Sequence, residues 1–269
     1  YPRSRCSGTP VARLYRPHVI PMTESSDPTT DVQPTTIAEK RDRVEKITEQ
    51  LEDGEVSLER AKQLHEEGQE LIAAVDCTGH GVPGAFLSIL GQNLLNKIVK
   101  EYGILKPSEI LNNLNKEIVN ALHQHGSGGE KVVNDGMDLA LINYDRKNNI
   151  LQYAGAYNSL YLVRNGELFE TKANRFPIGR TTSEEEKLFT NHELKVKNGD
   201  IAYIFSDGYA DQFGGAHGKK FKSKYLKKFL QEIYSYSMEE QKKALEKNLD
   251  EWKGDYQQVD DIILIGRKF

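Results

Sequence analysis

The stretch Ala73-Ala-Val-Asp-Cys-Thr-Gly-His-Gly81 carries an apolar, strand-like run that ends on an acid, after which two glycines turn the backbone. Two later stretches repeat that arrangement. Ile201-Ala-Tyr-Ile-Phe205 leads into Ser206-Asp-Gly-Tyr-Ala-Asp211, and Val259-Asp-Asp-Ile262 opens the apolar run Ile262-Ile-Leu-Ile265. Taken singly, each is a turn or a solvated strand start, because Asp-Gly is a common turn dipeptide. Taken together, Asp76, Asp207, Asp260 and Asp261 place acids at the ends of three strands, and strand ends that converge would deliver them to one rim. An all-oxygen set of that kind suits Mg²⁺ or Mn²⁺.

Outward from these motifs the chain alternates helices with strands. Residues 87–102 carry helical periodicity through Leu90, Leu94, Leu95, Ile98 and Val99, and residues 108–123 repeat it through Ile110, Leu111, Leu114, Ile118 and Leu122. Strands are predicted at 138–144, 150–156, 160–164 and 167–171, with Asn148-Asn149 and Asn165-Gly166 as hairpin turns. Helices over 222–234 and 238–252 precede the terminal strand. This order predicts a layered α/β sandwich in the α+β sense: two antiparallel sheets flanked by helices, preceded by a short helical hairpin.

The 269 residues, 38% apolar, leave room for one large or two modest domains with a sizeable core. A net charge of −4 gives no global attraction to nucleic acid or to an anionic membrane. Only two cysteines occur, Cys6 and Cys77, which argues against a disulfide framework and fits a reducing, cytoplasmic setting. No apolar run is long enough to span a bilayer. Residues 1–36, broken by six prolines from Pro2 to Pro34, are expected to form a disordered leader, with 1–21 upstream of a candidate start at Met22.

Residues 37–72 read as a helical hairpin, one stripe through Val44, Ile47 and Leu51 and the other through Leu58, Ala61, Leu64 and Leu71, with Asp53-Gly54 at the turn. Leu51-Glu-Asp-Gly54, Ser57-Leu-Glu-Arg-Ala61 and Glu66-Glu-Gly68 resemble the small subunit of exonuclease VII. That resemblance implies a non-catalytic helical module whose partner is a nuclease large subunit.

Residues 73–269 resemble the metal-dependent protein phosphatase (protein phosphatase 2C) superfamily in its stage II sporulation protein E form. The matching phrases are Ala74-Val-Asp-Cys-Thr-Gly-His-Gly-Val-Pro-Gly-Ala85, Tyr153-Ala-Gly-Ala-Tyr-Asn158, Pro177-Ile-Gly179, Phe205-Ser-Asp-Gly-Tyr-Ala-Asp-Gln-Phe-Gly214 and Val259-Asp-Asp-Ile262. The resemblance implies hydrolysis of phosphoserine or phosphothreonine in a bacterial signalling protein by a metal-activated water, with two Mn²⁺ or Mg²⁺ ions. It also implies a phosphorylated anti-sigma-factor antagonist as the partner class. Carried over, Asp76 bridges the ions, the Cys77 carbonyl adds an oxygen, and Asp207 and Asp260 complete one shell. Asp261 and Asp211 stand behind them, and Gly79, Gly81, Gly208 and Pro83 shape the turns.

His80 reads either as general acid to the leaving alkoxide or as a turn-stabilising hydrogen-bonding group. Cys77 reads either as a redox or soft-ligand group or as a small core side chain. The cluster Lys219, Lys220, Lys222, Lys224, Lys227 and Lys228 either docks an acidic phosphoprotein or forms a solvated helix face. The phosphatase pattern has a further strand pair before the Asp76 motif, with a Gly-Gly-Asp-Phe-Tyr-like phrase that supplies another carboxylate. Residues 52–71 hold the hairpin phrase instead, so weak affinity for the second ion and little activity are expected. The alternative function is an accessory module fused to an inactive phosphatase fragment.

Overall fold

In the computed structural model, the residues described are 68–77, 82–124, 136–179 and 187–269. Alternation of apolar side chains drives the strands to pair into two antiparallel four-stranded sheets. The first has the order β1 (Gln69–Cys77), β2 (Met137–Asp145), β3 (Ile150–Ala156), β6 (His192–Lys195). The second has the order β10 (Leu264–Lys268), β7 (Ile201–Phe205), β4 (Leu160–Arg164), β5 (Glu167–Thr171).

The period of two decides which face each side chain occupies. Ala74, Ala140, Ile142, Leu151 and Tyr153 of the first sheet meet Leu160, Leu162, Ala202 and Ile204 of the second in a core between the sheets. The opposite parity of the first sheet, Leu139, Leu141, Ala154 and Ala156, packs under helices α1 (Val82–Lys100) and α2 (Pro107–Gln124) through Leu87, Ile98, Ile110, Leu114 and Ile118. On the second sheet Tyr161, Val163, Ile201 and Tyr203 lie under α4 (Ser223–Ile233) and α5 (Met238–Lys253) through Leu226, Leu230 and Leu245. The predicted sandwich of two antiparallel sheets between helical layers is the architecture observed.

The hairpin turns also stand where expected. Asn149 has φ 54°, and Asn165-Gly166 have φ 51° and 80°, the left-handed pair a tight hairpin needs. Short elements without an apolar signal were not anticipated: β6, the one-turn helix α3 (Gly208–Asp211), and the two-residue strands β8 (Phe213–Gly214) and β9 (Lys219–Lys220).

Two boundaries need correction. Gln69–Ile72, read as the end of the helical hairpin, form the first half of β1. Leu71 faces the helices with Ala73 and Val75, while Ile72 faces the other sheet with Ala74, so Leu71 belongs to a strand alternation rather than to a helical stripe. The terminal strand begins at Leu264, two residues later than Ile262 implied. The remainder of the hairpin and the leader, residues 1–67, lie outside the described residues.

Charged pairs join the sheets. Arg164 of β4 grips Asp200 at 2.9 and 2.5 Å and also donates to the Lys195 carbonyl of β6 at 2.9 Å. Asp200 is buried, and although burial pushes its carboxyl up, Arg164 and the Lys197 N–H outweigh that and hold it below the ordinary value. Asp200→Ala strands the Arg164 guanidinium and the Lys197 N–H, so unfolding in urea should show a loss of about 2–4 kcal/mol. At the other edge, Glu70 of β1 pairs with Arg267 of β10 at 3.0 Å and Arg146 at 3.1 Å.

Candidate metal centre

Asp76 is built by strand parity. It shares the inter-sheet face with Ile72 and Ala74 but sits one residue before β1 ends, so its carboxylate reaches the mouth between the sheets. Its register partner on β2 is Asp138, a second acid at the same rim.

Asp207 stands two residues past the end of β7 and caps the start of α3 with φ −74° and ψ −15°, its side chain making no capping bond. The residues beside it set its position. The buried Ser206 hydroxyl donates to the Asp261 carbonyl at 2.9 Å and accepts from the Ile263 N–H at 3.0 Å, while the Ser206 N–H donates to the Ile263 carbonyl at 3.0 Å. A Cβ on Gly208 would lie 2.3 Å from the Asp261 carbonyl oxygen, so only glycine lets the two loops touch. Ser206 and Gly208 therefore clasp the Asp260-Asp261 loop against Asp207.

The result is that one carboxylate oxygen from each of Asp76, Asp207 and Asp260 lies within 4.8 Å of the others. Three anions this close repel one another. Burial and the charges of Asp260, Asp207, Asp138 and Asp261 push the Asp76 carboxyl up to about 7. Burial, Asp260 and Asp211 likewise raise Asp207, opposed by the Lys220 ammonium. The donor set is oxygen throughout, and its repulsion is what a divalent cation relieves, so these residues fit Mg²⁺ or Mn²⁺.

The other expected residues fall in different places. Cys77 has the opposite parity to Asp76, packs with the helical core and has its thiol raised by burial, so its sulfur is not presented to the carboxylates. Of the two readings of that side chain, its packing matches the small core residue. Asp261 is exposed and contributes its carbonyl to the Ser206 clasp. Asp211, on α3, pairs with Lys220 of β9 at 2.5 Å. Gly79, His80 and Gly81 lie outside the described residues, as do the structural details of the turn they form. The side chain of Pro83 is likewise not described, although the residue falls in the first turn of α1.

Sequence reasoning passed over Ser206 and Asp138, and it named Lys220 only as one member of a lysine cluster. Asp138 was legible as an acid opening an alternating strand, the same signal that marked Asp76. Ser206 carried no signal, since its role depends on a loop 55 residues away.

Comparison with known proteins bears on this geometry. The family model for stage II sporulation protein E matches residues 66–269, and that for the exonuclease VII small subunit matches residues 38–76. A search of curated proteins found no match. Among solved structures, the SiaA-PP2C domain of Pseudomonas aeruginosa is similar at 27% identity and a TM-score of 0.65, covering 87% of this chain and 99% of that one. The PP2C phosphatase domain of SpoIIE from Bacillus subtilis, solved with a fragment of its regulatory domain, is similar at 19% identity and a TM-score of 0.55, covering 74% of this chain and 54% of that one. The Mycobacterium tuberculosis serine/threonine phosphatase PstP/Ppp is similar at 17% identity and a TM-score of 0.51, covering 74% of this chain and 91% of that one. The last two likenesses show the fold alone.

Proposed function

The chain belongs to the stage II sporulation protein E family and carries a PP2C-type serine/threonine phosphatase domain, and from that premise we propose that it hydrolyses phosphoserine or phosphothreonine in a signalling protein at the Asp76, Asp207 and Asp260 cluster. The observation that carries this reading is the convergence of three carboxylates from three separate strand ends to within 4.8 Å. Bound there, Mn²⁺ or Mg²⁺ supplies a water of lowered pKa and positive charge against the phosphoryl oxygens. Asp76 is the most buried of the three, and Asp207 and Asp260 complete the donor set with it.

The chain's own residues do the positioning. Ser206 and Gly208 hold Asp207 and Asp260 at a fixed separation, so the donor set is in place before any ion arrives, which saves ordering at the moment of binding. A phosphorylated anti-sigma-factor antagonist is the partner class in this reading, and the affinity for a second ion is weaker than for the first.

In this reading the phosphatase domain begins at β1 rather than at residue 73, with the hairpin and leader before it. The accessory-module alternative is not favoured, because within the exonuclease VII match residues 69–76 are β-strand rather than helix.

The test is hydrolysis of a phosphoserine peptide with and without Mn²⁺, beside Asp207→Asn. Turnover that needs the ion, stops on chelation and is absent from the variant supports the reading. A folded wild-type chain without turnover, or equal rates in both proteins, refutes it.

A further inference from the structure

Beside the carboxylates lies a short ribbon that the metal reading leaves unused. Strands β8 and β9 pair Phe213 with Lys220 and Gly214 with Lys219. The ribbon has a firm base, because a Cβ on Gly214 would fall on the Trp252 carbonyl and the Gly215 N–H donates to that same carbonyl at 2.8 Å. The Trp252 indole donates to the Gln212 carbonyl at 3.0 Å, and the Gln212 amide donates to the Gln257 carbonyl at 3.0 Å. Gln258 then donates to the Asp260 carbonyl at 2.8 Å. The ribbon, the end of α5 and the Asp260 loop are thus joined residue to residue, which fixes the root of Lys220 relative to the carboxylates.

The Lys220 ammonium lies in the field of that cluster. Asp211 raises its pKa first through their hydrogen bond, and Asp207 and Asp260 add to the effect. Its partner Asp211 is 39% exposed and Lys220 itself 46% exposed, so their ion pair is solvated and contributes little to stability. The other lysines expected to act with it are dispersed. Lys227 reaches from α4 to Glu170 of β5, and Lys228 pairs with Glu232 one turn along α4. Phe213, 37% exposed, has its ring centroid 6.0 Å from the ammonium and gives the lip an apolar edge.

We propose that Lys220 is a substrate-positioning residue, exchanging Asp211 for the phosphoryl oxygens of a phosphoserine or phosphothreonine segment laid across the β8–β9 ribbon. This rests on the phosphatase reading above. The exchange is favourable because a phosphomonoester dianion carries twice the charge of a carboxylate and more acceptor oxygens. Lys220 meets the phosphoryl group in the ground state as well as at the transition state, so its effect falls on substrate affinity rather than on the chemical step.

The experiment uses the full chain with Mn²⁺, a phosphoserine peptide for kinetics, and inorganic phosphate titrated calorimetrically. Lys220→Ala should raise KM about tenfold and weaken phosphate binding to the same degree, with kcat nearly unchanged, as expected for loss of one charge-assisted contact. Lys220→Arg should restore most of the affinity. Asp211→Asn, which releases the ammonium, should lower KM. Unchanged KM and phosphate affinity in Lys220→Ala overturns the proposal, and so does an equal loss in Asp211→Asn, which would mean that Lys220 merely holds Asp211. If the wild-type chain does not turn over, the phosphatase reading fails, while the phosphate titration still decides the role of Lys220.

Discussion

Asp76→Asn is expected to lower Mn²⁺-dependent phosphopeptide turnover by at least about a thousandfold, because the bound ion supplies several kcal/mol of barrier lowering, while making the metal-free protein more stable above pH 7. The two effects have one cause. Asp76 sits among Asp207, Asp260, Asp138 and Asp261, where burial and repulsion push its carboxyl up to about 7. A group whose folded pKa lies above its ordinary value of 3.8 holds its proton more tightly in the folded state than in the unfolded chain. Between those values the native state carries more protons, so stability falls as pH rises from about 4 to about 7 and stays low beyond. With solvent screening at this half-buried rim, the loss is on the order of 1–2 kcal/mol.

Asparagine removes the charge and with it the pH-dependent loss, at the expense of the most buried donor. Mn²⁺ relieves the same repulsion in the wild-type chain, so it should raise Tm more at pH 8 than at pH 5, where it must displace the proton. Thermal melting at the two pH values, with and without Mn²⁺, checks both statements. Equal metal-free melting of wild type and variant at pH 8, or turnover retained by the variant, would contradict the account.

Gly208→Ala should weaken Mn²⁺ binding by about a hundredfold, since displacements near 1 Å in a positioned constellation have effects of that size. The added Cβ would stand 2.3 Å from the Asp261 carbonyl oxygen and 3.0 Å from its carbon, both backbone atoms held by Ser206. No side chain can swing aside, so the loop must retreat and carry Asp260 with it. Stretching the Ser206 contacts and straining the strand end should also lower stability by about 1–3 kcal/mol. Calorimetric titration of Mn²⁺, with circular dichroism to show a folded chain, measures the effect. Wild-type affinity in the variant would mean that the Asp207–Asp260 separation is set elsewhere.

Much of this molecule was legible because its signals are local. Ile150–Ala156, Leu160–Arg164, Glu167–Thr171 and Ile201–Phe205 are strands with the bounds that alternation and flanking turns imply. The helical stripe of residues 87–102 falls on α1, which starts five residues earlier and ends two residues sooner, and that of residues 108–123 lies within α2. The acids were legible for the same reason, each standing where an apolar run stops.

The failures share a different cause. Gln69–Ile72 read as helix because Leu64 and Leu71 are seven apart, a spacing that suits a helical stripe; their pairing with β2, Gln69 opposite Asp145 through Ile72 opposite Ile142, decided otherwise. Strands β6, β8 and β9 are too short and polar to announce themselves, and they exist because a neighbouring strand supplies their hydrogen bonds.

By itself the chain's order of residues determined the longer strands and helices from 82 onward and which acids end those strands, since propensity, periodicity and turn chemistry act over a few neighbours. Only the tertiary structure decided that Asp76, Asp207 and Asp260 share one rim, that Ser206 and Gly208 clasp two of them together, and that Lys220 stands beside them. The contacts among Asp76, Asp207 and Asp260 and the clasp of Ser206 and Gly208 on Asp261 join residues 53 to 184 positions apart, and at that distance strand register and sheet packing, not local preference, set which groups meet.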